Sequence, residues 1–402
     1  MWFARRAGEK NKRKGYDWKI THGRVRGKFM KNNSAKNIIT ELLNLAEVTV
    51  NGNLPWDIQV HNEEFYSRIL HHGSLGAGES YMDGWWDCAR LDDFFDHINR
   101  ADLENKVKKN KRIMFHLFLA KFLNQQTKNR AKKVANMHYD LGNELFQAML
   151  DSRLNYTCGY WKTATTLEQA QLHKLDLVCQ KLQLKPGMRV LDIGCGWGAL
   201  AKHAAEKYNV NVVGVTISKN QAELAKQTCA GLPIEIRLQD YRDIQGTFDR
   251  VVSLGMFEHV GHLNYRRYME IANKCLAADG LFLLHTIGSN KTVFAADEWI
   301  TKYIFSHGML PSIAQIGKAS EDFFVMEDWH NFGADYDRTL LSWHENFTRA
   351  WPQLQNTYNE RFRRMWEYYL LLSAGGFRAR AMQLWQIVFS KNGLRGGYYA
   401  PR

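Results

Sequence analysis

Residues 190–198 read Val-Leu-Asp-Ile-Gly-Cys-Gly-Trp-Gly, an apolar run ending in three glycines, Gly194, Gly196 and Gly198, at alternate positions. Glycines after a strand let the backbone turn sharply and approach a ligand where a Cβ would intrude. A helix is expected to start near Ala199. A dinucleotide-binding turn would have the spacing G-x-G-x-x-G. Here it is acidic-x-G-x-G-x-G, and the carboxylate of Asp192 suits a neutral or cationic ligand better than a pyrophosphate. One such turn does not decide a fold, so its surroundings must.

On either side, apolar runs alternate with helical segments. Strands are predicted at Arg189–Ile193, Asn211–Val215, Ile234–Leu238, Arg250–Leu254, Leu281–His285, Phe323–Asp328 and Gln386–Ser390, and a helix at Leu167–Leu182. This alternation implies an α/β fold with a doubly wound, mainly parallel seven-stranded sheet and helices on both faces. Ligands in such sheets lie beyond the carboxyl ends of the strands. Those ends carry Thr216, Ser218 and Gln221, then Gln239, Asp240 and Tyr241, then Glu258, then His285 and Ile287. Asn155-Tyr156-Thr157-Cys158 lies upstream and Asn331–Tyr336 downstream. Taken singly, each of these is as readily an ordinary loop or core residue.

The 402 residues exceed one ordinary core and divide by pattern. Residues 1–33 are basic, polar and expected to be poorly ordered. Residues 34–105 form a small α+β module, with a helix from Ala35, a hairpin at Val48–Val50 before Asn51-Gly52, a strand at Trp56–Val60 and helices at Glu63–His71 and Leu91–Ile98. Residues 106–136 form a basic linker containing the apolar segment Lys111–Leu123, and 137–402 the sheet domain. That segment suits a membrane interface or a helix packed between domains; its apolar residues occupy nearly all sides.

The formal charge is +13, with basic runs over Arg5–Lys28 and Lys106–Lys133, the second free of acids. Such fields attract nucleic acid or anionic lipid headgroups, and charge alone does not choose between them. No run reaches the roughly 18–20 apolar residues of a membrane span, and no apolar core follows the basic start as in a signal peptide. A cytoplasmic location is expected. The six cysteines lack zinc spacings, so no metal site is expected.

The acidic-x-G-x-G-x-G turn resembles the first motif of class I S-adenosylmethionine-dependent methyltransferases. Together with Gly78-Glu-Ser-Tyr-Met-Asp-Gly-Trp-Trp86, Asn155–Trp161, Ser253–Gly261, Leu284–Gly288 and Asn331–Tyr336, it resembles the cyclopropane fatty acid synthase family over about Ala35 to Phe389. The small amino-terminal module is characteristic of the bacterial phospholipid-acting members; the related mycolic-acid enzymes lack it. The resemblance implies S-adenosylmethionine contacts at Tyr156, Thr157, Asp192, Gly194, Cys195, Gly196, Gly198, Thr216, Gln221, Asp240 and Tyr241. Thr216 and Gln221 stand where most such methyltransferases carry an acid for the ribose. It also implies a bicarbonate ion held by Cys158, Glu258, His285, Tyr336 and the backbone of Ile287. A homodimer docked on the inner leaflet of the cell membrane, contacting anionic headgroups and unsaturated acyl chains, is implied as well, with no nucleic acid partner.

The chemistry explains that ligand set. An alkene attacking a sulfonium methyl leaves a carbocation, and one methyl proton must depart as the ring closes. Bound bicarbonate is a weak nucleophile that still takes a proton, and Glu258 and His285 would orient it and relay that proton. Rings such as Tyr156, Trp161, Phe257 and Tyr303 can stabilise the cation by about 0.5–2 kcal/mol each. The stretch Asp297–Leu310 suits an acyl-chain wall, or ordinary helix packing. One departure stands out: Ser373 occupies a position where many family members have a cysteine, and serine without a base is a poor nucleophile. A bicarbonate mechanism needs no covalent enzyme intermediate. The rival readings are a methyltransferase making branched fatty acids or N-methylated small molecules, an RNA-directed protein, and a non-catalytic lipid binder.

Overall fold

The structure is a computed structural model describing residues 32–103, 105, 106, 142–306 and 308–402. The basic extension over 1–33 and the linker over 106–136 lie, apart from residues 32, 33 and 106, outside the described residues.

The chain opens with α1 (Asn32–Leu45), β1 (Ile58–Val60), α2 (Glu64–Met82), β2 (Trp86–Cys88) and α3 (Leu91–Arg100). The hairpin expected at Val48–Val50 does not form. Val50 makes only an isolated bridge to Ile58, and the true antiparallel pair is β1 with β2, Ile58 opposite Cys88. The buried Asp57 carboxylate is the cause. It accepts the N–H groups of Thr49 at 2.7 Å and Leu54 at 2.9 Å, wrapping the intervening chain around itself. The glycine-rich stretch after His71 is helical too, joined to the first half of α2 through a break at Gly73 (φ 54°, ψ −131°) that favours glycine.

Next come α4 (Asn143–Met149), α5 (Leu167–Lys181), β3 (Arg189–Ile193), α6 (Ala199–Tyr208), β4 (Asn211–Thr216), α7 (Lys219–Thr228), β5 (Ile234–Leu238) and β6 (Phe248–Leu254). The chain continues through α8 (Tyr265–Cys275), β7 (Leu276–Ser289), α9 (Glu298–Tyr303), α10 (Ile313–Ser320), β8 (Val325–Asn331), α11 (Ala334–Leu354), α12 (Glu360–Arg378) and β9 (Met382–Ser390). Helix starts follow local chemistry: Thr166 caps α5 by accepting from Gln169, and Ser312 with Gln315 forms a capping box on α10.

Strands β3–β9 form the expected seven-stranded sheet in the order β5-β4-β3-β6-β7-β9-β8. Pairs from β5 through β7 are parallel, while β9 runs antiparallel to both β7 and β8. Central strands of a sheet covered on both faces are apolar throughout, as in the fully buried Leu281–Leu284. All seven predicted strands are present, with ends shifted by a few residues. Gly288 shows how tightly β7 and β9 are packed: a Cβ there would lie 1.9 Å from the Trp385 ring. Gly288→Ala should therefore cost about 1–3 kcal/mol, seen as a lower urea midpoint at unchanged slope.

The amino-terminal elements share one apolar cluster with α11, α12 and the stretch around α9. Trp299 of α9 is fully buried; a Cβ at Gly78 would lie 2.3 Å from its ring, and its indole N–H faces Met82 Sδ at 3.4 Å. Glu79 of α2 accepts from Lys302 Nζ at 2.5 Å and the Tyr303 hydroxyl at 2.8 Å. Arg378 at the end of α12 meets Asp92 at 2.7 Å and Asp337 at 2.9 Å. The module is thus bolted to α9, which forms part of the site wall.

Candidate active site

A cleft of about 590 Å³ opens beyond the carboxyl ends of β3, β4, β5 and β6. Its lining includes Tyr156, Thr157, Asp192, Gly194, Cys195, Gly196, Thr216, Gln221, Asp240 and Tyr241, so ten of the eleven residues expected at a cofactor meet there. Gly198 is the exception. It takes φ 87° at the start of α6, and a Cβ on it would reach Cys229 Sγ at 2.8 Å. It packs closely against α7. Gly194 (φ 86°) makes the turn itself, with its Cβ position 2.7 Å from Met256.

At the end of β4, Thr216 Oγ1 donates to Gln221 Oε1 at 2.9 Å, while Ser218 caps α7. At the end of β5, the Asp240 carboxylate pairs with Arg242 at 2.6 Å, which holds it below its ordinary pKa. Tyr156 donates to or accepts from the Tyr369 hydroxyl at 2.9 Å and leans on Trp343.

Lys174 was missed in the sequence. Its ammonium is buried in the cleft wall and donates to Asn155 Oδ1 at 2.8 Å and Thr157 Oγ1 at 3.0 Å. Asn155 is itself fixed by Asp151, through N–H and amide donors both at 2.8 Å. Burial pulls Lys174 down to about 8, against the pull of Asp151, Cys158 and Asp192. Burial raises Asp192 to about 7, with Lys174 opposing. The signal was present: Lys174 sits seven residues after Leu167 and four before Val178, on the buried face of α5.

The five residues assigned to the anion do not line the cleft; Met256 and His259, which flank Glu258 in sequence, do. Glu258 is buried in a 3-10 turn (Phe257–His259) just after β6. Its Oε1 accepts the Ile287 N–H at 2.7 Å, so that backbone group, expected to hold an anion, holds the carboxylate instead. Glu258 Oε2 and His285 Nε2 are buried and make no hydrogen bond among the described residues, although the Thr286 hydroxyl lies close enough to the Glu258 carboxyl to oppose the rise of its pKa. Burial raises the Glu258 carboxyl to about 7 and drives His285 well below its ordinary value, leaving the imidazole neutral. The Gln386 amide faces His285 Nδ1 at 3.3 Å, leaving Nε2 as the unpartnered ring nitrogen. Tyr336 is buried, stacked on Phe377 at 4.5 Å, and its phenol is held well up by burial, with Cys158, Tyr369 and Glu258 adding to that. Cys158 is fully buried 3.7 Å from Thr339 Oγ1, its thiol pushed well up by burial, so it is no thiolate nucleophile.

Of the four rings proposed to face a cation, Tyr156 and Tyr303 line the cleft. Trp161 and Phe257 do not. The Arg338 guanidinium already covers Trp161 at 4.4 Å, and Phe257 stacks on Tyr265 at 4.3 Å in the core. In the Asp297–Leu310 stretch, Tyr303, Ile304, Phe305 and Ser306 line the cleft, whereas Trp299 is spent on the amino-terminal module. Ser373 lies half-buried on α12 and is not part of the lining.

The profile of the mycolic acid cyclopropane synthetase family matches residues 125–387. The chain is 56% identical over 361 residues to the cyclopropane-fatty-acyl-phospholipid synthase of Escherichia coli K12, covering 89% of this chain and 94% of that one. The chain belongs to the cyclopropane-fatty-acyl-phospholipid synthase family. Among solved structures it resembles the cyclopropane synthase MmaA2 from Mycobacterium tuberculosis, with TM-score 0.60 and 32% identity over 63% of this chain and 96% of that one. The mycolic acid cyclopropane synthase CmaA1, complexed with SAH and CTAB, gives TM-score 0.60 and 34% identity over 63% and 96%. The sheet is therefore that of the S-adenosylmethionine-dependent methyltransferases, and the chain is an enzyme of this cyclopropane synthase family.

Proposed function

We propose that this enzyme binds S-adenosylmethionine in the cleft and adds a methylene carbon across cis double bonds of phospholipid acyl chains. The observation that carries the reading is two buried polar atoms next to the cleft-lining turn, Glu258 Oε2 and His285 Nε2, both unpartnered among the described residues. Buried polar atoms are rarely left so, and both lie at the end of β7, where Glu258 holds the Ile287 N–H two residues beyond His285, a setting that fits a small protonated oxyanion such as bicarbonate. Cys158, Tyr336 and Glu258 would complete its surroundings.

When bound, S-adenosylmethionine supplies an electrophilic sulfonium methyl, and bicarbonate supplies a base of low nucleophilicity. The protein does the rest. Asp192, Gly194, Gly196, Thr216, Gln221, Asp240 and Tyr241 hold the cofactor, and Tyr156 and Thr157 position its reacting end. Tyr156 offers a ring face to positive charge on the chain, whereas Lys302 at 5.1 Å and Arg361 at 5.8 Å already lie over the Tyr303 ring. Glu258, with Oε1 pinned by Ile287, keeps Oε2 available to receive the proton that ring closure releases. Overall the acyl chain gains CH2, a thioether leaves and one proton is released. Among the described residues no helix is long and apolar enough to cross a membrane. In this reading the enzyme meets its lipid from the membrane surface, at the inner leaflet.

The test uses purified protein, S-adenosylmethionine, bicarbonate and vesicles of a cis-monounsaturated anionic phospholipid, with mass analysis of the acyl chains. Gain of one CH2 with loss of the alkene is expected. A saturated methyl-branched chain would mean that proton loss is not steered to ring closure. Absence of transfer with cofactor bound would overturn the lipid reading.

A further inference from the structure

Three loops meet at one corner of the cleft mouth. Met309 N–H donates to the Glu258 carbonyl at 2.8 Å, Ser289 N–H to the Pro311 carbonyl at 2.8 Å, and the Thr292 and Ser312 hydroxyls meet at 2.7 Å. These bonds tie residues 256–264, 289–296, 305, 306 and 308–313 into one unit. Its inner side carries cleft-lining residues, His259, Val260, Asn264, Phe305 and Ser306.

The outer side is apolar where a soluble surface would be polar. Leu263 is 85% exposed, Phe294 68%, Ile313 55% and Val293 40%. Leu263 sits in a 3-10 turn, Phe294 in the loop between β7 and α9, edge-on to His262 at 5.3 Å, and Ile313 in the first turn of α10. Four large apolar side chains exposed on neighbouring loops mark an interaction surface. Their charge environment selects the partner. Residues 259–267, 289–296 and 305–318 contain no Asp or Glu, while Lys291, Lys318, Arg266 and Arg267 project from them, the two arginines paired with Asp322 and Glu270. Apolar tips in a basic setting suit the interface of an anionic bilayer, where the tips enter the acyl boundary and the cations meet headgroups.

We propose that this corner, built around Leu263 and Phe294, is where the catalytic sheet domain docks on the phospholipid bilayer, presenting the cleft mouth to the acyl layer. The proposal rests on the lipid reading above and deepens it. An acyl chain can then pass from the bilayer along Phe305 and Tyr303 without crossing water.

The test is co-sedimentation of the full chain with vesicles of monounsaturated phosphatidylglycerol and phosphatidylethanolamine. Leu263→Asp with Phe294→Asp should weaken vesicle partitioning at least about tenfold while cofactor affinity and sedimentation coefficient stay those of the parent. Lys291→Glu, an exposed change that folding tolerates, should weaken binding to the anionic vesicles and not to purely zwitterionic ones. Unchanged partitioning in both variants, or a parent that ignores vesicles, overturns the proposal. So does a changed oligomeric state with vesicle binding intact, which would make the patch a contact between copies. Sedimentation needs no turnover. A chain that binds through the patch yet transfers nothing sinks the catalytic reading alone, and one that modifies lipid while both variants bind normally sinks the patch alone.

Discussion

Glu258→Gln is expected to lower the rate of ring formation about 10³-fold while S-adenosylmethionine binds as before. Glutamine keeps the size of the side chain, and its carbonyl oxygen can still accept the Ile287 N–H that Glu258 Oε1 now holds at 2.7 Å. What disappears is the capacity of Oε2 to take or hold a proton. Single-turnover measurement of chain mass separates this from a binding defect; a variant within tenfold of the parent would remove Glu258 from the chemistry. The pH dependence gives a second readout. Burial raises this carboxyl from 4.5 to about 7, so the folded state holds a proton that the unfolded chain has released across that window. Its contribution to stability is therefore present below the ordinary carboxylate pKa and is lost as pH rises towards 7. Activity should rise through the same interval as Glu258 ionises. In the glutamine variant that rise is absent, and the variant gains stability relative to the parent between pH 4.5 and 7.

Lys174→Met should weaken S-adenosylmethionine binding about 10- to 100-fold at neutral pH. The two bonds lost, to Asn155 and Thr157, hold the segment that carries Tyr156 into the cleft. Hydrogen bonds from a charged group are worth about 1.5–3 kcal/mol each, enough for the effect even after partial relaxation. Global stability should change less, because removing a buried ammonium also removes the cost of its burial. Here the sign is opposite to that of Glu258. Lys174 is depressed from 10.5 to about 8, so the folded state releases a proton that the unfolded chain keeps, and the parent gains stability as pH rises from 8 to 10.5. The variant should lack that gain. Without Lys174, Asp192 also loses the charge that opposes its rise, so its ionisation moves to higher pH. The binding deficit of the variant should accordingly narrow in alkaline buffer, which titration calorimetry at two pH values would reveal. A deficit independent of pH would mean that Lys174 acts through the Tyr156 segment alone.

Much of this enzyme was legible from the chain because the signals are local. The run from Val190 to Gly198, the alternation of apolar strands with helices, and the polar residues at strand ends each depend on neighbours a few positions away. Those signals carried the family resemblance, which implied eleven cofactor contacts, and ten of them meet in one cleft. Local reading failed where a distant partner overrides it. Asn51-Gly52 looks like a hairpin turn until the Asp57 carboxylate claims the backbone around it. Trp161 looks like a cation-facing ring until Arg338, far along the chain, covers it.

By itself the sequence determined the order of strands and helices and the glycine turn, since period and turn preference are written in adjacent residues, and the groups proposed for the chemistry came from the family resemblance of its motifs. Only the tertiary structure decided which of those groups lose their water and their partners. Glu258 is a base candidate because burial leaves one of its oxygens alone, and Lys174 matters because it is an ammonium inside a wall. Desolvation and unmet hydrogen bonds are set by everything that packs around a group, and most of that comes from far away in the chain.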